Sequence, residues 1–299
     1  MLLFILLSAY LTLDWTDFIY SYITGELPDI NLQIWLRTVC EISTTVLLLL
    51  YARPVPALKL YIASPLNVAL SVLLALFLYI PMAVFLSWIS FLVLKSGIEP
   101  VVNEATEAVS RSSFIEEFLF FCVLAPVCEE FLFRGAILGA YRRKIGFAAI
   151  FVSSVFFGLM HAEIFSVLNG FIIGLALGYV YLKTNSMWCP VLLHMFYNLF
   201  AFTLIPDIFI INLPWTSGIF DFSFMTFEEP GYCIYQIGIA AIGIMAAVLT
   251  IKKLSSYNAQ NKIVKANYYT PSVAERSITA VAIMLLIVRV FEGSIGWFA

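Results

Sequence analysis

Residues 118–144 read FLFFCVLAPVCEEFLFRGAILGAYRRK. The first two-thirds of this run is apolar enough for a membrane-spanning helix, which needs roughly 20 apolar residues. Yet Glu129, Glu130 and Arg134 lie deep inside it, and it ends on three cations, Arg142, Arg143 and Lys144. An ionisable side chain in a span costs about 2.5 to 3.5 kcal/mol on insertion scales, so each of the three needs a reason to be there. Glu130 and Arg134 are four residues apart, share one helix face and can pair. Glu129 points about 100° away and is left over. An unpaired carboxylate in a low-dielectric setting suits a proton acceptor working near neutrality. A purely structural ion pair accounts for Glu130 and Arg134 but leaves Glu129 unexplained.

The rest of the 299-residue chain has the same character. Hydrophobic residues make up 62% and charged residues 12%, and the mean hydropathy is +0.98. Soluble domains carry about 25% charged residues. A soluble fold of this size could not bury so much apolar surface, which points to an all-α, polytopic transmembrane helix bundle. This composition excludes a secreted disulfide scaffold, a nucleic-acid binder and a disordered chain. Cys40, Cys122, Cys128, Cys189 and Cys233 form no CxxC pair and lie mostly in apolar runs, as small buried hydrophobes do. The expected spans are 1–23, 35–52, 66–95, 115–141, 146–161, 165–182, 188–206, 233–251 and 277–294, giving eight or nine crossings. Asp14 and Asp17 interrupt the first, which reads as a span or surface segment rather than a cleaved leader. Pro81 predicts a kink in the third. Residues 97–113 read as an interfacial helix. Three regions follow: N-terminal helices over 1–113, a four-helix core over 114–206 that holds the buried charges, and an external loop with C-terminal helices over 207–299.

Lys and Arg set the orientation. Arg53 and Lys59, Arg142 to Lys144, Lys183, and the group Lys252, Lys253, Lys262, Lys265 and Arg276 fall on one side if the spans alternate. Residues 207–232 contain no Lys or Arg and fall on the other, as does 24–34. The expectation is a multi-pass protein of a prokaryotic cell membrane with a cytoplasmic N-terminus. Lys95 and Arg111 are the exceptions.

The chain has two histidines. Phe157-Gly158-Leu159-Met160-His161 ends one span, and His194-Met195-Phe196-Tyr197-Asn198 lies within another, with His194 and Asn198 on one helix face. A lone membrane histidine is often a helix–helix hydrogen-bond donor; here both fall shortly after the Glu-Glu-Arg helix. Glu129 lies 16 residues before a turn near residue 145 and His161 lies 16 after it, so antiparallel packing brings them to one depth. His194 lies about nine residues past its own turn and should sit roughly 10 Å nearer the basic side, at 1.5 Å per residue.

The order Glu129-Glu130-x-x-x-Arg134, then Phe157-x-x-x-His161, then His194-x-x-x-Asn198 resembles the CPBP family (CAAX proteases and bacteriocin-processing enzymes, or Abi), which includes the eukaryotic Ras-converting CAAX endopeptidase. The resemblance covers roughly residues 115–200. It implies an intramembrane endopeptidase. By resemblance Glu129 activates water, Glu130 pairs with Arg134, His161 and His194 are the catalytic histidines, and Asn198 stabilises the oxyanion with a histidine. Peptide hydrolysis needs a base, oxyanion donors and a proton for the leaving amine, and these residue types supply them. A zinc site-2 protease would need H-E-x-x-H, a rhomboid a G-x-S nucleophile, and a presenilin-like enzyme Y-D with G-x-G-D; none accompanies these histidines.

Glu129, His161 and His194 could also bind zinc with water in the fourth position; the ligand set allows both mechanisms, and the metal-free glutamate mechanism is preferred here. The implied partners are the lipid bilayer and, as substrate, a membrane protein or a lipidated or leader peptide. Two rival functions fit the residues: a non-catalytic membrane partner or bacteriocin self-immunity protein, and a transporter relaying protons through Glu129, His161 and His194. A transporter would favour inverted repeats, which the sequence lacks. Gly170, Gly174 and Gly178 recur every fourth residue and read as a close-packing stripe.

Overall fold

The computed structural model describes residues 63–96, 118–139, 141–142, 146–161, 164–204 and 230–254, with isolated positions between 20 and 46 and at 115. Six helices are built from these. They are α1 (Pro65–Lys95), α2, α3 (Ala148–Leu159), α4 (Ile164–Thr184), α5 (Trp188–Leu204) and α6 (Pro230–Lys253). No strand occurs among the described residues. Helices α1, α4 and α6 are long and apolar enough to cross a membrane, while α3 and α5 are shorter apolar helices. The protein is an all-α membrane bundle. The expected spans 1–23, 35–52 and 277–294 and the interfacial segment 97–113 lie outside the described residues, as does most of 207–232.

α2 is a composite element. Phe118–Leu124 and Phe131–Leu138 are wound as π-helix, and Ala125–Glu130 between them is α-helical. π-Turns bond i to i+5 and are commonest at functional sites. Pro126 supplies a local cause for the upper one, since it has no N–H to offer the preceding turn. The carbonyl five residues back, on Phe121, instead accepts a hydrogen bond from Asn198 Nδ2 at 2.8 Å. From Leu132 to Leu138 every residue is buried, so this end of α2 is enclosed on all sides.

The other helices pack around it. α3 lies along α4, and α1 lies along both α5 and α6. One apolar core takes Leu74 and Tyr79 from α1, Phe133 from α2, Phe157 from α3, Leu177 from α4, Leu193 from α5 and Ala247 from α6. Leu66, Leu73, Leu92, Ile237, Ile244 and Met245 face outward, as expected where the solvent is lipid rather than water. Hydroxyls inside the helices are satisfied by the carbonyl four residues back: Ser71 on Asn67, Ser154 on Ile150, Thr184 on Val180 and Thr250 on Ala246. Cys122, Cys128 and Cys189 are buried and in no disulfide.

Glycines set the helix spacing. A Cβ on Gly158 would stand 2.7 Å from the Val167 carbonyl oxygen and 3.0 Å from the Phe171 nitrogen. One on Gly170 would stand 3.2 Å from Gly158 Cα, and one on Gly174 3.1 Å from Ser154 Cα. The stripe on α4 therefore does what a packing stripe does. A second close approach is between α6 and α1. A Cβ on Gly243 would meet Pro81 Cδ at 2.9 Å and the Phe77 carbonyl oxygen at 3.2 Å. Pro81 lies inside α1, which runs on past it to Lys95. Phe77 is the residue whose carbonyl Pro81 leaves without an N–H partner, and the bare backbone of Gly243 comes up against it.

The basic residues gather at one end. Lys183 Nζ donates to the Ile251 carbonyl oxygen at 3.1 Å. That places the C-terminus of α4 beside the C-terminus of α6, where Lys252 and Lys253 sit. Tyr141, next to Arg142, packs with Leu138, Tyr181 and Leu182 at the same end.

Candidate active site

The Glu-Glu-Arg helix, the end of α3 and the middle of α5 converge. Arg134 Nη1 donates to Glu130 Oε1 at 2.8 Å, and both side chains are fully buried. The expected i,i+4 pair is thus present. A buried arginine needs more than one partner, and Arg134 has three. Its Nη2 donates to the Gly174 carbonyl oxygen at 3.1 Å, and its guanidinium carbon lies 4.6 Å from the centre of the Phe157 ring. Glycine at 174 keeps α4 close enough for its backbone to be reached. Glu130 Oε2 and Arg134 Nε are buried with no hydrogen-bond partner, so the pair is not a two-pronged fork.

Glu130 is also shared. Its Oε1 stands 3.1 Å from His194 Nδ1. On the other side of the same imidazole, Nε2 is 3.7 Å from Glu129 Oε2. Glu129 is therefore not left over as the helix geometry alone suggests: both adjacent glutamates face one histidine from the next-but-two helix. Glu129 is the more open of the two glutamates, with its side chain 20% exposed against 0% for Glu130.

These contacts overturn the expected 10 Å offset of His194 from Glu129. The turn before α5 is packed inside the protein. Asn185, Ser186 and Met187 are buried, and Met187 packs in the same cluster as Leu138. His194 is seven residues past Met187 and Glu130 eight residues before Leu138, so the two arrive at one level. Asn185 takes φ 56° in this recessed turn, a left-handed conformation that asparagine tolerates.

His161 lies just beyond α3, in the turn that ends it. Its Nδ1 is 3.0 Å from the Phe157 carbonyl oxygen. A carbonyl can only accept, so Nδ1 carries the proton when the ring is neutral. The His161 and His194 rings stand 5.5 and 5.4 Å from the Phe157 ring, both edge-on. Asn198, one turn along α5 from His194, spends one amide N–H on the Phe121 carbonyl. Of the six expected site residues, Glu129, Glu130, Arg134 and His194 form one contact network, His161 joins it through Phe157, and Asn198 ties α5 to the π-turn of α2.

Zinc held by Glu129, His161 and His194 does not match this arrangement. Among the described residues no three His, Cys, Asp or Glu side chains, these three included, are grouped to hold a metal ion. The chemistry below uses the side chains alone.

Three features were not legible in the sequence. Tyr197 donates to Asn169 Oδ1 at 2.6 Å, joining α5 to α4, and the Tyr79 ring of α1 packs edge-on against Tyr197 at 5.9 Å. The third, Phe157, stands in a quoted motif without a role.

Residues 111–200 match the Rce1-like family, described as type II CAAX prenyl endopeptidase Rce1-like. The chain is 27% identical over 192 residues to YdiL of Bacillus subtilis, provisionally named a membrane peptidase, covering 62% of this chain and 78% of that protein. It is 32% identical over 105 residues to an uncharacterized protein of Mycoplasma capricolum, covering 33% of this chain and 30% of that one. No solved structure matches. The Rce1-like match takes in all of α2 to α4 and most of α5, and every residue of the cluster falls within it.

Proposed function

We propose that this protein is an intramembrane endopeptidase that hydrolyses a peptide bond in a membrane-associated protein or peptide. The observation that carries the reading is the approach of two adjacent carboxylates to opposite nitrogens of one buried histidine, inside a segment that matches a peptidase family. Glu129, the more exposed carboxylate, takes a proton from water as the oxygen attacks the substrate carbonyl carbon. His194 Nε2 and the second N–H of the Asn198 amide, on one face of α5, hold the negative charge that develops on the carbonyl oxygen. Glu129 then returns the proton to the amine nitrogen as the C–N bond breaks. Glu130, held by Arg134, accepts from His194 Nδ1 and turns the ring toward Glu129, and in this step the ring carries a proton on both nitrogens, so that Nε2–H donates to the developing oxyanion. His161 lines the same cluster with its Nδ1 committed to backbone. Zinc is not required by any of these steps. The substrate is a membrane protein, a lipidated peptide or a leader peptide; prenylation is named only in the family's description and is not carried over.

The test compares cells carrying the natural protein with cells carrying Glu129→Gln, by proteomics of the peptide termini in membranes and medium. The amide keeps the size of the carboxylate and loses its basicity. A set of termini should vanish in the variant, while the purified variant keeps the wild-type thermal midpoint. Identical terminal profiles would overturn the peptidase reading.

A further inference from the structure

Phe157 is buried, 2% exposed, and its ring meets the separate parts of the cluster. Arg134 lies 4.6 Å from its centre, His161 5.5 Å and His194 5.4 Å, the imidazoles tilted 74° and 81° to it. Phe133 of α2 stacks edge-on at 5.1 Å. Through its main chain the same residue accepts from His161. A histidine ring held by one hydrogen bond can still rotate about its outer torsion, which is broad and roughly two-fold. An aromatic wall removes that freedom. Arg134 over the ring also brings positive charge to the electron-rich π cloud, so the guanidinium that fixes Glu130 is located by the ring that fixes the imidazoles.

We propose that Phe157 is a positioning residue: its ring sets the orientation of His161 and His194 together and couples both to the Glu130–Arg134 pair. The geometry stands by itself. Its consequence for catalysis rests on the peptidase reading. Leucine at 157 would keep the apolar volume roughly and lose the flat wall, so both imidazoles should gain rotational freedom at once. Nothing in the backbone hydrogen bond to His161 would change, because the carbonyl remains.

The chain contains two histidines, which makes a direct readout available. The full-length protein, purified through a histidine-free tag and labelled with ¹⁵N-histidine, shows two imidazoles in detergent or nanodisc spectra. In the natural protein each ring should give sharp nitrogen signals from one fixed proton arrangement. In Phe157→Leu both pairs should broaden and move toward exchange-averaged positions, a displacement far larger than loss of a ring current produces on nitrogen. Phe133→Leu, a similar loss of a ring that packs on Phe157, serves as the packing control and should leave both pairs sharp. Movement of only one histidine in Phe157→Leu, of neither, or of both equally in Phe133→Leu would overturn the proposal. Should Phe157→Leu fail to fold, Phe157→Met fills irregular space more readily and is read the same way. Because no substrate enters this measurement, its failure leaves the Glu129→Gln comparison untouched, and the reverse holds.

Discussion

At the scale of single residues, the molecule shows how three ionisable groups can be kept in an apolar helix. Arg134 is compensated by Glu130, by the Gly174 carbonyl and by the Phe157 ring. Lysine could not do this, since one ammonium lacks the spread donors and the flat face. Arg134→Ala removes the cation but leaves Glu130 and its neighbour Glu129 in place. Breaking one side of a buried pair costs about 3–5 kcal/mol, so this variant should insert poorly or melt far below the natural protein, with loss of activity. Arg134→Lys should recover only part of the stability. Thermal unfolding in detergent checks both, and a wild-type midpoint for Arg134→Ala would show the pair to be energetically idle. The pairing of Glu130 with Arg134 was readable from their spacing. The approach of Glu129 and Glu130 to His194 was not, because it joins residues 64 positions apart and depends on where α5 starts.

At the scale of elements, backbone approach decides. The α3–α4 contact runs through Gly158 and Gly170, beside His161. Gly158→Ala would press a methyl onto main-chain atoms of Val167 and Phe171, neither of which can swing aside. Overpacking of this kind costs about 1–3 kcal/mol, and the midpoint should fall accordingly while the helix content persists. Gly170→Ala meets the His161 ring at 3.1 Å, so its larger effect should be on activity. A separate cycle tests the α1–α6 contact. Gly243→Ala alone should destabilise, by clash with Pro81 Cδ and the Phe77 carbonyl. Adding Pro81→Ala removes Cδ and returns an N–H to that carbonyl, so the double variant should be more stable than the sum of the singles predicts. Strict additivity would mean the two helices do not meet there. The periodic stripe on α4 was visible in the sequence as spacing; Gly243 had no such signal, since its partner is a proline on a helix more than 150 residues away.

At the scale of the whole molecule, four of the described cations share one end, Lys95 and the buried Arg134 aside: Lys183 on the end of α6, Lys252 and Lys253 there too, and Arg142 beside Tyr141. If that end faces the cytoplasm, as the distribution of Lys and Arg predicts, water reaches the cluster from that side past Glu129. In a cysteine-free background, cysteines at the half-buried positions Leu192 and Met195 should react with a membrane-impermeant thiol reagent applied from the cytoplasm. Labelling solely from the outside would reverse the orientation.

The sequence by itself determined an all-α membrane bundle and singled out the candidate site residues, because both follow from local composition: 20 apolar residues can only be satisfied as a helix in lipid, and charges inside such a run need a purpose. It also carried a family pattern in three short motifs. What the tertiary structure decided was everything that depends on relative helix depth. The recessed turn at Asn185–Met187 raises no compositional flag, yet it lowers α5 until His194 lies between two carboxylates. The π-turns of α2 and the Asn198 tie to Phe121 are likewise invisible to periodicity, since a proline removes one donor locally while the group that replaces it comes from 77 residues away. Local chemistry reads out in the chain; the meeting of distant groups waits on how closely the helices are allowed to pack.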